Sequence, residues 1–427
     1  MAHLQRRLNR IDALAIAIGS VVGVGVFRNT GVVLAGAGGF GNATILWIVI
    51  GLVCLAGAML YADLSARIPE AGGPYAYVRV AFGRPAGFVY GWMNAAVAMP
   101  VRQASIVAAI SELVSPWLPG GPRLIAITAM VVLAVVNLLG VKAGAITQRF
   151  FTAGKVATIV LVIGLALVLG GRVPASTATI QQATFVSAVA AVWYTYLGWQ
   201  DVVLLAEELH QPRKDLPVVL VGTVLFAIAL YLGIHAAIYY GLGGTAEAYG
   251  ATPGIRVAEL VLGGFGLALL SGLTVSSMTG GAAESMMVRP RVAMALARDG
   301  MAPRQIAAID AAGTPYGAIL FHSALSLVLV ASGSYISLLP LLTFAQGFLG
   351  IFEVASYFVV RKKRPDFPTS RLHPWGPLVF IAANIALCAL SASADPPKTG
   401  IALGLIAVVS VIGLVVLRPA QSIPEKP

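Results

Sequence analysis

Apolar residues run along the chain in stretches of helical length, separated by short polar, glycine- or proline-bearing connections. A spanning helix takes about 20 predominantly apolar residues. Twelve runs qualify, near 11–36, 43–66, 86–114, 122–140, 146–170, 184–206, 216–241, 256–287, 315–333, 335–360, 376–393 and 400–417. The pattern predicts an all-α membrane protein with twelve transmembrane helices. Two runs are poor helices on their own terms. Gly19-Ser20-Val21-Val22-Gly23-Val24-Gly25 places three glycines among β-branched residues, and both residue types weaken a helix. Trp193 to Asp201 crowds aromatics, Gly198 and a charge into what should be the apolar middle of the sixth run.

Composition removes the alternatives to a membrane protein. Of 427 residues, 58% are hydrophobic and only 11% charged, where a soluble domain needs roughly a quarter charged. The net charge of +11 raises a nucleic-acid partner, but the distribution of cations answers it. With the N-terminus inside, 21 Lys and Arg fall in inner loops and four (Arg123, Arg172, Arg256, Lys398) in outer ones, while Arg28, Arg102 and Lys155 lie within spans. That asymmetry predicts both termini in the cytoplasm of a multi-pass plasma (inner) membrane protein, with the bilayer and no nucleic acid as partner. The basic N-terminus and Ala35-Gly36-Ala37 look superficially like a secretory signal, but Arg28 and Asn29 interrupt the apolar run, so the segment is read as retained. The expected organisation is a tail over 1–10, one membrane domain over 11–417 and a second tail over 418–427. Cys54 and Cys388 lie in apolar runs and build no metal site or disulfide framework.

Non-helical backbone at membrane depth survives only beside protein or a wet cavity. The first break has a packing explanation too, since Gly19 and Gly23 form a GxxxG pair. Its position favours unwinding: breaks in spans one and six correspond if a five-helix unit repeats, and matched interruptions point to a transporter's binding site.

Gly19 to Phe27 (GSVVGVGVF) resembles the glycine-rich motif of helix one in the amino acid–polyamine–organocation (APC) superfamily. Tyr61 to Trp92, with its P-x-A-G-G-x-Y core, is similar to that family's helix 2–3 signature. Tyr194 to Pro217 is similar to helix six of the L-type amino acid transporter branch, and Arg291 to Pro303 to the loop after helix eight. The resemblance implies a leucine-transporter-like 5+5 inverted repeat (about 11–170 and 184–360), two added helices (about 376–417), and sodium-independent transport of amino acids by exchange or proton coupling. No cofactor or metal is implied.

The resemblance also implies site residues. Free N–H groups at the start of an outer half-helix favour a carboxylate, which puts the anion site at Gly23, Val24 and Gly25. Carbonyls freed at Gly19 and Val21, and at Tyr194, Thr195 and Leu197 before Gly198, are expected to accept the substrate ammonium, with Tyr194 as an aromatic gate. The bulk of Leu197, where the family often has glycine, favours small or medium neutral substrates. Lys155 in an apolar helix costs roughly 2.5–3.5 kcal/mol at mid-membrane. It either snorkels to the interface or, as in some sodium-independent family members, occupies the place of a sodium ion between carbonyls near Gly19 and Ser277. Arg102, after Pro100, either lines the pathway or bonds carbonyls freed by the kink, and Arg28 either draws anions inward or reaches the interface. Glu284, Glu353, His235 and His322 are read as internal hydrogen-bond partners, and Glu207 and Glu208 as ion-pair partners closing the inner gate.

Rival readings are a membrane enzyme, a sensor without turnover, and a polyamine or cationic amino acid permease. No histidine opens an HExxH motif, and GxGxxG at Gly36 to Gly41 joins two spans with no preceding strand, so an enzyme is not expected.

Overall fold

The computed structural model describes residues 4–22, 25–169, 183–241, 259, 262–333, 335–365, 372–394 and 396–416. Within them the chain is helical almost throughout. α1 (Arg10–Val21) starts on a capping box, with the Asn9 side chain accepting from Asp12 N–H while the Asp12 carboxylate accepts from Asn9 N–H. α2 (Gly25–Gly36) and α3 (Phe40–Arg67) follow, then the short α4 (Pro74–Phe82) and α5 (Arg84–Trp92). A π-helical turn, Met93–Ala98, joins α5 to α6 (Met99–Val114). Pro100, which offers no N–H, follows directly, and a wider turn absorbs the missing bond.

Next come α7 (Gly121–Leu138), α8 (Val141–Leu169) and α9 (Phe185–Tyr196), a 3₁₀ segment over Trp199–Glu208, and α10 (Pro212–Gly241). α11 (Gly264–Val288) turns into α12 (Pro290–Arg298), and α13 (Tyr316–Ser332), α14 (Tyr335–Lys363), α15 (Trp375–Ala394) and α16 (Pro396–Val416) complete the order.

Among the described residues eight helices are long and apolar enough to cross a membrane. The other four expected spans correspond to the two broken segments α1/α2 and α9/3₁₀, to α13 with its 17 residues, and to α14, whose interior carries Gln346 and Glu353. The core is a layer of broken helices held inside straight ones. α3 packs along α10, α1 lies on α8 and the 3₁₀ segment, and α2 lies on α9. Farther out, α6 packs on α11, α7 on α13, α14 on α15, and α16 closes against α5 and α14.

Candidate functional site

The first break follows Val21. Val22 is extended (φ −79°, ψ 90°), its N–H still reaches Ile18 O at 2.8 Å, and helix resumes at Gly25. Gly23 and Val24, the core of the expected anion site, lie outside the described residues, as does the side chain of Arg28. Gly25 opens α2, where the first N–H groups have no partner within the helix.

The second break faces it. α9 ends at Tyr196, Leu197 is extended, and Gly198 takes φ +121°. A Cβ at Gly198 would stand 2.7 Å from Ser20 O and 2.9 Å from Ser20 Oγ, so only glycine lets the two interruptions touch. Around that contact Ser20 Oγ donates to Asp201 Oδ2 (3.2 Å) and Asn29 Nδ2 donates to Thr195 Oγ1 (2.8 Å). Tyr231 of α10, fully buried, lies 2.6 Å from Val21 O and 3.0 Å from Thr195 O through its hydroxyl. One O–H serves a freed carbonyl from each broken helix.

The inner half of helix one is read by a polar stripe on α8. Gln148, Thr152 and Lys155 share a face at i, i+4 and i+7 spacing. Thr152 Oγ1 donates to Ala15 O (2.9 Å), and Lys155 Nζ, 6% exposed, donates to Gly19 O (3.0 Å). An ammonium at the carbonyl end of α1 also complements the helix dipole. Ser277 is buried, and its hydroxyl bonds no described residue, so the expected contact with Lys155 is not made.

Beside the breaks opens a cavity of about 510 Å³, with Asn29, Tyr194, Leu197 and Gln200 on one wall. Tyr194 is 53% exposed. The opposite walls carry Tyr90 and Arg102 from α5 and α6, and Glu353 and Asn384 from α14 and α15. Arg102 is among the residues that line the cavity, and it hydrogen-bonds no described residue. At the cavity edge Arg289 pairs with Asp201. No group of three or more His, Cys, Asp or Glu among the described residues could hold a metal ion.

The amino acid permease family model matches residues 8–417, nearly the whole chain. The chain belongs to that family. Within the APC superfamily this permease is 28% identical over 421 residues to the large neutral amino acids transporter small subunit 2 of Homo sapiens (94% of this chain, 78% of the relative). It is 26% identical over 412 residues to the serine/threonine exchanger SteT of Bacillus subtilis (strain 168), with 94% of each chain covered. Similarity to the Homo sapiens cystine/glutamate transporter is 27% over 419 residues (93% and 83%).

In the permease, the face that carries residues 4–10 holds a set of ion pairs. Glu208 binds Arg291 at 2.8 and 3.2 Å with both side chains buried, and Glu207 binds Arg298 at 2.6 Å while accepting from Ala71 N–H at 3.0 Å. Arg149 meets Asp12 and Arg10 meets Asp215. The N-terminal segment joins them through a parallel bridge between Leu8 and Leu209. Three cations assigned to inner loops by sequence, Arg67, Arg289 and Arg291, are instead buried against Asp63, Asp201 and Glu208.

Tyr231, Asn29 and the Arg289–Asp201 pair escaped sequence reasoning as site groups. Tyr231 lies in a long apolar run and looks like core; the available signal was a hydroxyl in lipid, which needs a partner. Asn29 was visible only as a polar interruption, and its partner is 166 positions away.

Proposed function

We propose that this permease is a sodium-independent secondary transporter of amino acids in the plasma membrane, working by alternating access through exchange or with protons. The observation that carries the reading is the meeting of two interrupted helices, α1/α2 and α9/3₁₀, at Gly198 and Ser20 beside a cavity large enough for a free amino acid. In this reading the chain crosses the membrane twelve times with both termini in the cytoplasm, and helices one and six unwind at mid-membrane. The packing of α1/α2 on α9/3₁₀, α3 on α10, α6 on α11 and α7 on α13 supports a repeat in which spans one to four each pair with the one five later. The repeats cover about 11–170 and 184–360.

The substrate carboxylate is assigned to the N–H groups of Gly23, Val24 and Gly25, and its ammonium to the facing main chain of Gly19, Val21, Tyr194, Thr195 and Leu197, with Gly198 holding the gap open. Arg28 and Arg102 line the approach. Because Tyr231 and Lys155 already serve Val21, Thr195 and Gly19, binding proceeds by exchange of these internal bonds for substrate bonds. The ammonium of Lys155, held on Gly19 O, takes the place of a coupling sodium. Leu197 narrows the pocket towards small or medium neutral amino acids, a reading supported by the serine/threonine exchanger among the relatives.

Counterflow in proteoliposomes tests this directly. Labelled alanine or serine should enter vesicles loaded with the unlabelled amino acid at the same rate in sodium and in choline. Uptake that stops without sodium, or binding without counterflow, refutes the proposal.

A further inference from the structure

Asp63, Asp201 and Glu208 are buried carboxylates that each pair with an arginine. Glu353 differs. It stands in the middle of α14, lines the cavity, and takes part in no ion pair among the described residues. Its contact is with a neutral group, the hydroxyl of Tyr90 on α5, which donates to Glu353 Oε1. The neighbouring amides bond elsewhere: Asn94 Nδ2 donates to Tyr90 O and Asn384 Nδ2 to Phe380 O.

Among the described residues, no ionisable group on the surrounding elements forms an ion pair with this carboxyl. α3 brings Cys54 and Tyr61 to the same cavity, α6 brings Arg102, and the Asp201–Arg289 pair closes another edge with its charges already matched. α4 carries Tyr77, whose buried hydroxyl bonds no described residue. α15 carries the thiol Cys388, set against Phe344 O, and α16 carries a single charge, Lys398, in its first turn. Glu284 of α11 is also buried and takes part in no ion pair among the described residues, but it does not line this cavity.

An ionised carboxylate inside a membrane protein is costly unless paired, so the group neutralises instead. When the cavity is dry, neutrality at Glu353 requires a proton. When the cavity fills with water, the proton can leave. The proton occupancy of Glu353 therefore depends on whether the cavity is open to water and on the pH of that water.

From this juxtaposition we propose that Glu353 is the proton site of the permease: a proton from external water forms an O–H bond at the Glu353 carboxylate, crosses with the amino acid, and is released to the cytoplasm. The proposal rests on the transport reading above and selects proton coupling within it. Tyr90 is a positioning residue that holds one carboxylate oxygen.

Proteoliposomes with trapped pyranine, clamped at zero potential with potassium and valinomycin, test it on addition of the twenty amino acids in equal amounts. Wild-type protein acidifies the lumen, and its rate falls about tenfold for each pH unit above the pKa of the site. Glu353→Gln moves no protons and its counterflow is flat with pH, while Glu353→Asp restores a displaced profile. Acidification by Glu353→Gln at the wild-type level overturns the proposal. So does its loss in Glu284→Gln with Glu353→Gln unaffected, or wild-type counterflow with no proton movement. Infrared spectra of the purified protein read the site without transport: a buried carboxylic acid band that titrates must vanish in Glu353→Gln, and its persistence sinks the assignment. Absence of wild-type counterflow rejects the transport reading, and the infrared band then decides on the proton alone.

Discussion

At Gly198, φ +121° and the 2.7 Å approach to Ser20 O act together. A side chain there costs on the order of 1–3 kcal/mol in backbone strain and forces the two broken helices apart. Gly198→Ala is expected to abolish counterflow while leaving a folded, monodisperse protein in detergent; wild-type counterflow by the variant would remove the contact from the mechanism. Tyr231→Phe leaves the carbonyls of Val21 and Thr195 without their shared donor, at a cost of about 1–3 kcal/mol for a buried acceptor left unsatisfied. Its melting temperature should fall and its transport should weaken, measured side by side with Tyr239→Phe as control. Lys155 was legible from sequence because a charge in an apolar run demands explanation. Tyr231 was not, because one hydroxyl does not disturb a hydropathy pattern, and its acceptors are 210 and 36 positions away.

Individual elements carry the division between straight and broken helices. Hydropathy located the spans to within a few residues in most cases, since the hydrocarbon core sets a minimum apolar length for a straight crossing. The glycines of span one and the aromatic cluster of span six marked the interruptions. The sequence did not reveal that span six continues as a 3₁₀ segment from Trp199 to Glu208, because hydrogen-bond register depends on what packs outside it. That segment ends on the buried Glu208–Arg291 pair, 1% exposed on both sides. Arg291→Met should destabilise the protein by about 3–5 kcal/mol by leaving a carboxylate unpaired. Adding Glu208→Leu should recover most of that loss in thermal unfolding, yet leave the inner face less firmly shut. A double variant no more stable than the single one would show that the pair is not the source of the cost.

For the molecule as a whole, charge asymmetry gives a sidedness that labelling can check. In a cysteine-free background, Trp117→Cys between α6 and α7 should react with an impermeant maleimide on intact cells. Lys362→Cys at the end of α14 should react only after permeabilisation, and the opposite result would invert the topology. Long-range pairing was the part of the architecture that hydropathy could not supply, since it fixes lengths and not neighbours. The bridge between Leu8 and Leu209 is one such pairing. Through it, Arg7 and Leu8 donate their N–H groups to Glu208 O, both at 3.0 Å, and His210 N–H donates back to Leu8 O. Residues 7–8 are thus tethered to the end of the segment that follows the second break, which the alternating-access reading sets moving in each turnover. Cargo fused ahead of Leu4, such as a fluorescent protein or a purification handle, would be dragged along with it, slowing the cycle of an otherwise intact binding pocket.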